Sequence, residues 1–266
     1  MSEPITSTQN ERIKQLVRLR SRRERDRTGR FLIEGYRELR RALESDVALE
    51  ELYSCPELYL GGDEGRLVAL AGRRGASLFE VTEAPFRKAS YRDRPEGLLA
   101  VARQFDTGLD GLRPGADPLL LVAESIEKPG NLGTMLRTAE AAAAGGLIVA
   151  DATTDPFNPN VVRASLGTLF RVPLAVSPTL EARRWLEAIG CRVVAATPGA
   201  ATAYYEADLR GAVAIVIGSE QYGLSDVWLD GADERVRIPM PGSVDSLNAA
   251  MAAGILLFEA VRQRST

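Results

Sequence analysis

Hydrophobic positions along the chain alternate between two periods, and the alternation predicts an α/β protein in two parts. In the first part Ile13, Leu16 and Val17 fall at i, i+3 and i+4, which predicts a short amphipathic helix. Phe31 to Ile33 follows as a strand, and Tyr36, Leu39 and Leu43 mark one face of a helix from Tyr36 to Leu43. Strands at Leu49–Tyr53, Ser77–Val81 and Leu98–Ala102, with a helix around Arg66–Arg73, complete a small α/β domain over residues 1–105. Residues 106–117 (DTGLDGLRPGAD) turn to Gly, Pro and Asp and read as an exposed linker.

The second part, residues 118–266, opens on the fully apolar strand Leu119–Ala123, then an alanine-rich helix from Leu132 to about Ala144 and a second buried strand, Leu147–Ala150. Further strands are predicted at Val172–Val176, Arg192–Ala196, Val213–Ile217 and Arg235–Ile238, with a long apolar helix running to about Arg262. Continuous apolar strands separated by helices predict a largely parallel sheet covered on both faces. Ligands of such sheets bind beyond the carboxyl ends of the strands, which directs attention to three turns.

The first turn is EKPGNLGTMLR (127–137): Asn131 is placed to cap the helix, and Arg137 lies among small side chains, suited to a phosphate or a developing oxyanion or else extended to solvent. The second, IGSEQYGLSD (217–226), sets Glu220 between Gly218 and Gly223 at a strand end, with Ser225 placed to cap a short helix. The third, IPMPGSVDSLN (238–248), is stiffened by two prolines and brings Ser246 and Asn248 to the start of the last helix. None of them matches a phosphate-binding P-loop or a dinucleotide-binding glycine fingerprint.

Composition narrows the chemistry. The 266 residues contain no histidine, which excludes Ser-His-Asp and Cys-His mechanisms and every His-ligated metal site. Cys55 and Cys191 are far apart and read as buried small hydrophobes, so no metal is expected. No apolar run reaches a membrane span, and the polar, then basic N-terminus lacks a secretory signal, so a cytoplasmic protein is expected. The net charge of −3 hides a basic stretch, because Glu11 to Arg30 holds nine basic and three acidic residues, a balance of +6. Such a helix either grips a polyanion or is a solvated face.

The segments NLGTMLRTAEAAAAGGLIV, IVIGSEQYGLSD and IPMPGSVDSLNAAMAAGILLFEAVRQR, in this order and spacing, resemble the three motifs of the SpoU/TrmH family of SPOUT methyltransferases, over roughly Pro118 to Arg264. ITSTQN and FLIEGYRELRRAL are similar to the small ribosomal-protein-like α/β domain that bacterial rRNA members carry first. The resemblance implies a SPOUT domain with a C-terminal trefoil knot, a homodimer, S-adenosylmethionine as cofactor, and methylation of a ribose 2′-hydroxyl, with 23S rRNA the expected substrate and tRNA the alternative. A member that binds RNA without activity is a third reading. By motif match Arg137, Asn131, Glu220, Ser246 and Asn248 form the catalytic set. Thr197, Pro198, Gly199, Gly218, Ile238, Met240 and Leu247 line the cofactor pocket. With RNA as partner, the basic helix is expected to dock it through Arg20, Arg22, Arg23 and Arg25.

Overall fold

A computed structural model describes residues 3–265. In chain order its elements are α1 (Glu11–Arg18), α2 (Arg22–Thr28), β1 (Arg30–Glu34), α3 (Tyr36–Glu44), β2 (Leu49–Ser54), α4 (Glu64–Arg73), β3 (Ser77–Glu80), α5 (Glu83–Ala89) and β4 (Leu98–Arg103). There follow β5 (Leu119–Glu124), α6 (Pro129–Ala141), β6 (Gly146–Ala150), α7 (Pro159–Ala164), β7 (Leu174–Ser177), α8 (Thr179–Ala188), β8 (Arg192–Ala196) and β9 (Thr202–Ala203). The last are β10 (Val213–Ile217), α9 (Asp226–Gly231), β11 (Glu234–Arg237) and α10 (Ala249–Arg264). Among the described residues no helix is long and apolar enough to cross a membrane.

The chain divides into two compact units, and the division is not a single cut. Unit one takes residues 1–105 and also 155–171, while unit two takes 106–154 and 172–266. Residues 155–171, which interrupt unit two, thus belong to the compact unit one, and the reason lies in the packing of unit one. Its sheet has the order β1-β4-β2-β3, with β4 antiparallel to both neighbours and β2 parallel to β3. One core cluster gathers Ile13 and Leu16 of α1 and Phe86 and Ala89 of α5 around Leu32, Tyr53, Leu99 and Val101. From the neighbouring strand position Phe31 meets the rings of Phe157 and Phe170 at 4.9 and 6.2 Å, and Phe105 meets Phe157 edge-on at 5.0 Å. Without the 155–171 segment these rings would face water, at roughly 25 cal/mol per Å² of apolar surface.

The basic stretch forms two helices rather than one, and Arg25 of α2 is buried at 1% exposure. Its Nε and Nη2 donate to Asp155 Oδ2 at 2.8 and 2.6 Å, and its Nη1 donates to the Leu19 and Arg20 carbonyls. This overturns Arg25 as an RNA contact, because a buried guanidinium with every donor nitrogen committed cannot meet a phosphate. Arg20 is half-buried and donates to the Lys88 and Ser90 carbonyls at 2.6 and 2.5 Å, whereas Arg22 and Arg23 remain exposed.

Unit two is built on a seven-stranded, wholly parallel sheet of order β7-β6-β5-β10-β8-β11-β9. At its centre Ile215 stands opposite Leu121 on one side and Val194 on the other. Alternate residues of the strands point to opposite faces. Leu120, Val122, Ala214 and Val216 pack with Ala182 and Leu186 of α8 and Trp228 of α9. On the other face α10 lies over β5 and β10 and packs against α6. Residues 106–117 are mostly exposed, but Leu112 is buried in this core and the Thr107 carbonyl accepts from Val176 N at 2.7 Å, which fastens the stretch to unit two.

Candidate active site

Three neighbouring strands, β10, β8 and β11, end at a cavity of about 210 Å³. Ala196, Thr197 and Pro198 line it after β8, Ile217 to Glu220 with Gly223 after β10, Val236, Ile238 and Met240 along and after β11, and Ser246, Leu247, Ala249 and Ala252 on entry to α10. Most of the lining is apolar; Thr197, Ser219 and Ser246 add hydroxyls, and Glu220 is its one carboxylate. The loop after β10 is closed by paired bonds between Ser219 and Gly223, N to O at 3.1 Å each way, with Gly223 at φ +70°. A Cβ on Gly218 would stand 2.3 Å from the Gly223 carbonyl, so only glycine lets the two backbone segments approach this closely.

The far end of that loop is anchored by Glu124, a buried residue at the end of β5 that the sequence reading passed over. Its carboxylate accepts from Ser225 N and Oγ at 2.8 and 2.7 Å and from Thr179 Oγ1 at 3.0 Å. Ser225 stands at the N-cap of α9 but makes no side-chain cap bond, since its hydroxyl is turned to Glu124.

At the cavity rim the carboxylate of Glu220 collects four donors. Its Oε1 accepts from Asn131 Nδ2 at 3.1 Å, Asn248 Nδ2 at 2.6 Å and Ala249 N at 3.4 Å, and its Oε2 accepts from Lys128 Nζ. Asn248 Nδ2 also donates to Asn131 Oδ1 at 3.0 Å, tying all three predicted turns together. The hydrogen bond from Lys128 holds the Glu220 carboxyl below its usual range, against a smaller opposing effect of burial and with Asn131 and the Ala249 amide acting in the same direction. The same pairing raises Lys128. Glu220 is therefore an anion held by positive charge and by the amide end of a helix.

The predicted residues divide cleanly. Thr197, Pro198, Gly218, Ile238, Met240, Leu247, Glu220 and Ser246 line the cavity, and Asn131 and Asn248 bind the Glu220 carboxylate. Gly199 is exposed and is not among the lining residues. Arg137 is exposed on α6 and is likewise absent from the cavity wall of its own chain. Asn131 does not cap α6, which begins earlier, with Lys128 at the cap and Pro129 in the first position. Asn248, by contrast, caps α10, accepting from Ala250 N and Met251 N at 3.1 and 3.3 Å. Lys128 was missed, although a cation three residues ahead of Asn131 in a strand-to-helix turn was a usable signal. No group of three or more His, Cys, Asp or Glu among the described residues could hold a metal ion.

The model of the SpoU rRNA Methylase family matches residues 118–258, a stretch that includes all three turns. The chain belongs to this family. A second model, that of the MRM3-like substrate binding domain, matches residues 10–100. Among family relatives, the 23S rRNA (guanosine(2553)-2'-O)-methyltransferase RlmP of Bacillus subtilis is 29% identical, the match covering 96% of this chain and 97% of the relative. A crystal structure of an RNA 2'-O ribose methyltransferase is 44% identical with a TM-score of 0.88, covering 99% of this chain and all of that one. The AdoMet-bound rRNA methyltransferase of Sinorhizobium meliloti is 33% identical with a TM-score of 0.90, covering 98% and 97%.

Proposed function

We propose that this chain methylates a ribose 2′-hydroxyl of 23S rRNA with S-adenosylmethionine as donor. The observation that carries the reading is the Glu220 carboxylate, clamped by Lys128, Asn131 and Asn248 at the mouth of an apolar cavity on the carboxyl edge of a parallel sheet. The cavity suits the cofactor: Ile217, Val236, Ile238 and Leu247 offer apolar walls to a flat purine, and Gly218 leaves backbone rather than side chain at the loop. When bound there, S-adenosylmethionine supplies an electrophilic methyl group carried on a sulfonium.

The protein's part is to orient the sugar oxygen and to stabilise the charge that it develops as its proton leaves to solvent. Holding the acceptor in line is worth up to about 7–11 kcal/mol when the bound geometry is close to that of attack. The Asn131, Glu220 and Asn248 cluster is rigid, because each member is fixed by another, and it presents polar groups beside Ser246 at the rim. Arg137 acts by orienting a phosphate next to the target ribose and stabilising the oxygen as it gains negative charge. It does so from a second copy of the chain. Two observations support a homodimer: Arg137 is exposed and is not among the residues that line its own chain's cavity, and α10, which packs on α6, leaves Met251 61% and Phe258 50% exposed. The catalytic unit carries the family's trefoil knot in this reading, residues 106–117 join it to an N-terminal unit that docks RNA through Arg20, Arg22 and Arg23, and an rRNA substrate places the protein in the cytoplasm.

The reading is tested with labelled S-adenosylmethionine and 23S rRNA, mapping the modified position by its resistance to alkaline cleavage. Wild-type protein should transfer label to one ribose oxygen, and Arg137→Ala and Arg137→Lys should both lower kcat at least tenfold. Failure of the wild type to methylate rRNA overturns the substrate assignment, and near wild-type kcat in both variants removes Arg137 from the reaction.

A further inference from the structure

Unit one contains a second cavity, of about 470 Å³, that the methyl-transfer reading leaves unused. It opens between the turn that joins β1 to α3, the glycine-containing loop ahead of α4, and the segment from Arg92 to Glu96. Two residues of its wall, Glu64 and Arg92, each carry one buried polar atom without a hydrogen-bond partner among the described residues, and the two atoms have opposite polarity. Glu64, 4% exposed, accepts from Leu60 N and Gly61 N at 3.1 and 2.7 Å through Oε1, while its Oε2 has no hydrogen-bond partner. Arg92 commits Nη1 to Glu96 and Nη2 to Glu38 Oε1 and the Glu34 carbonyl at 2.7 and 2.9 Å, while its Nε has none.

The arrangement is held by design of the backbone. A Cβ on Gly35 would stand 2.5 Å from Arg92 Nη2 and 2.6 Å from Glu38 Oε2, so the Arg92–Glu38 pair needs glycine at the β1–α3 turn. Gly61 and Gly62 bring no side chain to the wall beside Glu64. Tyr36 contributes a half-buried ring to the wall, and Arg37 stands exposed beside it.

An unmatched buried polar atom is destabilising, so each of these two groups calls for a complement. A phosphate would satisfy Arg92 but would be repelled by Glu38, Glu64 and Glu96. An ammonium group would satisfy Glu64 and leave Arg92 Nε unmet. A flat heterocycle with donors and acceptors on one edge answers both, and it stacks on a tyrosine ring. Guanine is the base that offers a carboxylate two adjacent N–H donors, from N1 and the 2-amino group, with an acceptor oxygen beside them. We propose that this cavity takes an unstacked guanine of the substrate RNA, its N1 and 2-amino hydrogens donated to Glu64, its acceptor edge to Arg92, and its ring against Tyr36. The proposal rests on RNA being the substrate, and it adds a base-reading site remote in sequence from the catalytic loops.

The test uses the full chain and two fluorescently labelled RNA hairpins that differ at one bulged position, guanosine in one and inosine, which lacks the 2-amino group, in the other. Wild-type protein should bind the guanosine hairpin about tenfold more tightly, as expected for one hydrogen bond to a charged group. Glu64→Gln keeps an acceptor for the Leu60 and Gly61 amides and should bring that ratio close to one, while Tyr36→Ala should weaken both hairpins. Equal binding of the two hairpins by wild-type protein, or an unchanged ratio in Glu64→Gln, overturns the proposal. The rRNA methylation assay is read separately. Methylation without guanine preference removes this site alone, and guanine preference without methylation removes the catalytic reading while this one stands.

Discussion

Arg25 has its charge satisfied inside unit one, and this gives it a role opposite to that of its neighbours. Removing one partner of a buried ion pair leaves the other charge stranded, which costs about 3–5 kcal/mol. Arg25→Ala should therefore destabilise the protein by about that amount in urea denaturation, whereas Arg23→Ala, on an exposed side chain, should change stability by less than about 0.5 kcal/mol. Equal effects would return Arg25 to the surface. The local sequence could not separate these two arginines, because the carboxylate that decides the matter, Asp155, lies 130 residues away. The Glu220 cluster was easier to read. Asn131, Glu220 and Asn248 sit in turns that a parallel sheet must place at its carboxyl edge, so their meeting was legible, although the Lys128 bond and the Glu124 anchor depend on side-chain geometry that no motif states.

The start of α10 joins stability to chemistry through Asn248. Its Oδ1 caps the helix while its Nδ2 reaches Glu220, and the two ends of one amide can be separated by substitution. Asn248→Ala loses both functions and should lower stability by about 1 kcal/mol together with methyl transfer. Asn248→Asp retains a capping oxygen but faces the Glu220 carboxylate with like charge. It should melt within a few degrees of wild type yet lose most activity; full activity in Asn248→Asp would show that the contact with Glu220 is dispensable. Among the other elements, β5, β6 and β10 were legible because strands buried on both faces are uninterrupted apolar runs. The short helices α5 and α7 were not. Each is seven residues or fewer and carries a proline in its first turn, so neither builds a periodic stripe. The two-residue β9 carries no pattern at all.

In the proposed homodimer the exposed Met251 and Phe258 of α10 form the contact between the copies. Met251→Glu combined with Phe258→Glu should shift sedimentation from dimer to monomer and should abolish methyl transfer if Arg137 serves the neighbouring copy. A double variant that sediments as wild type would rule out this face as the contact. The order of the seven strands was beyond sequence reading, since β5 pairs with β10 across some ninety residues and pairing partners at that distance leave no periodic trace. The same holds for the return of residues 155–171 to unit one. That return has a temporal consequence. As the chain emerges during synthesis, its first hundred residues lack the rings that cover Phe31 and the carboxylate that neutralises Arg25, so the N-terminal unit stays incomplete until β5, α6 and β6 have already appeared. The order in which the two cores close is thus written into the path of the backbone, and an excised fragment ending at residue 105 would be a protein with one wall missing.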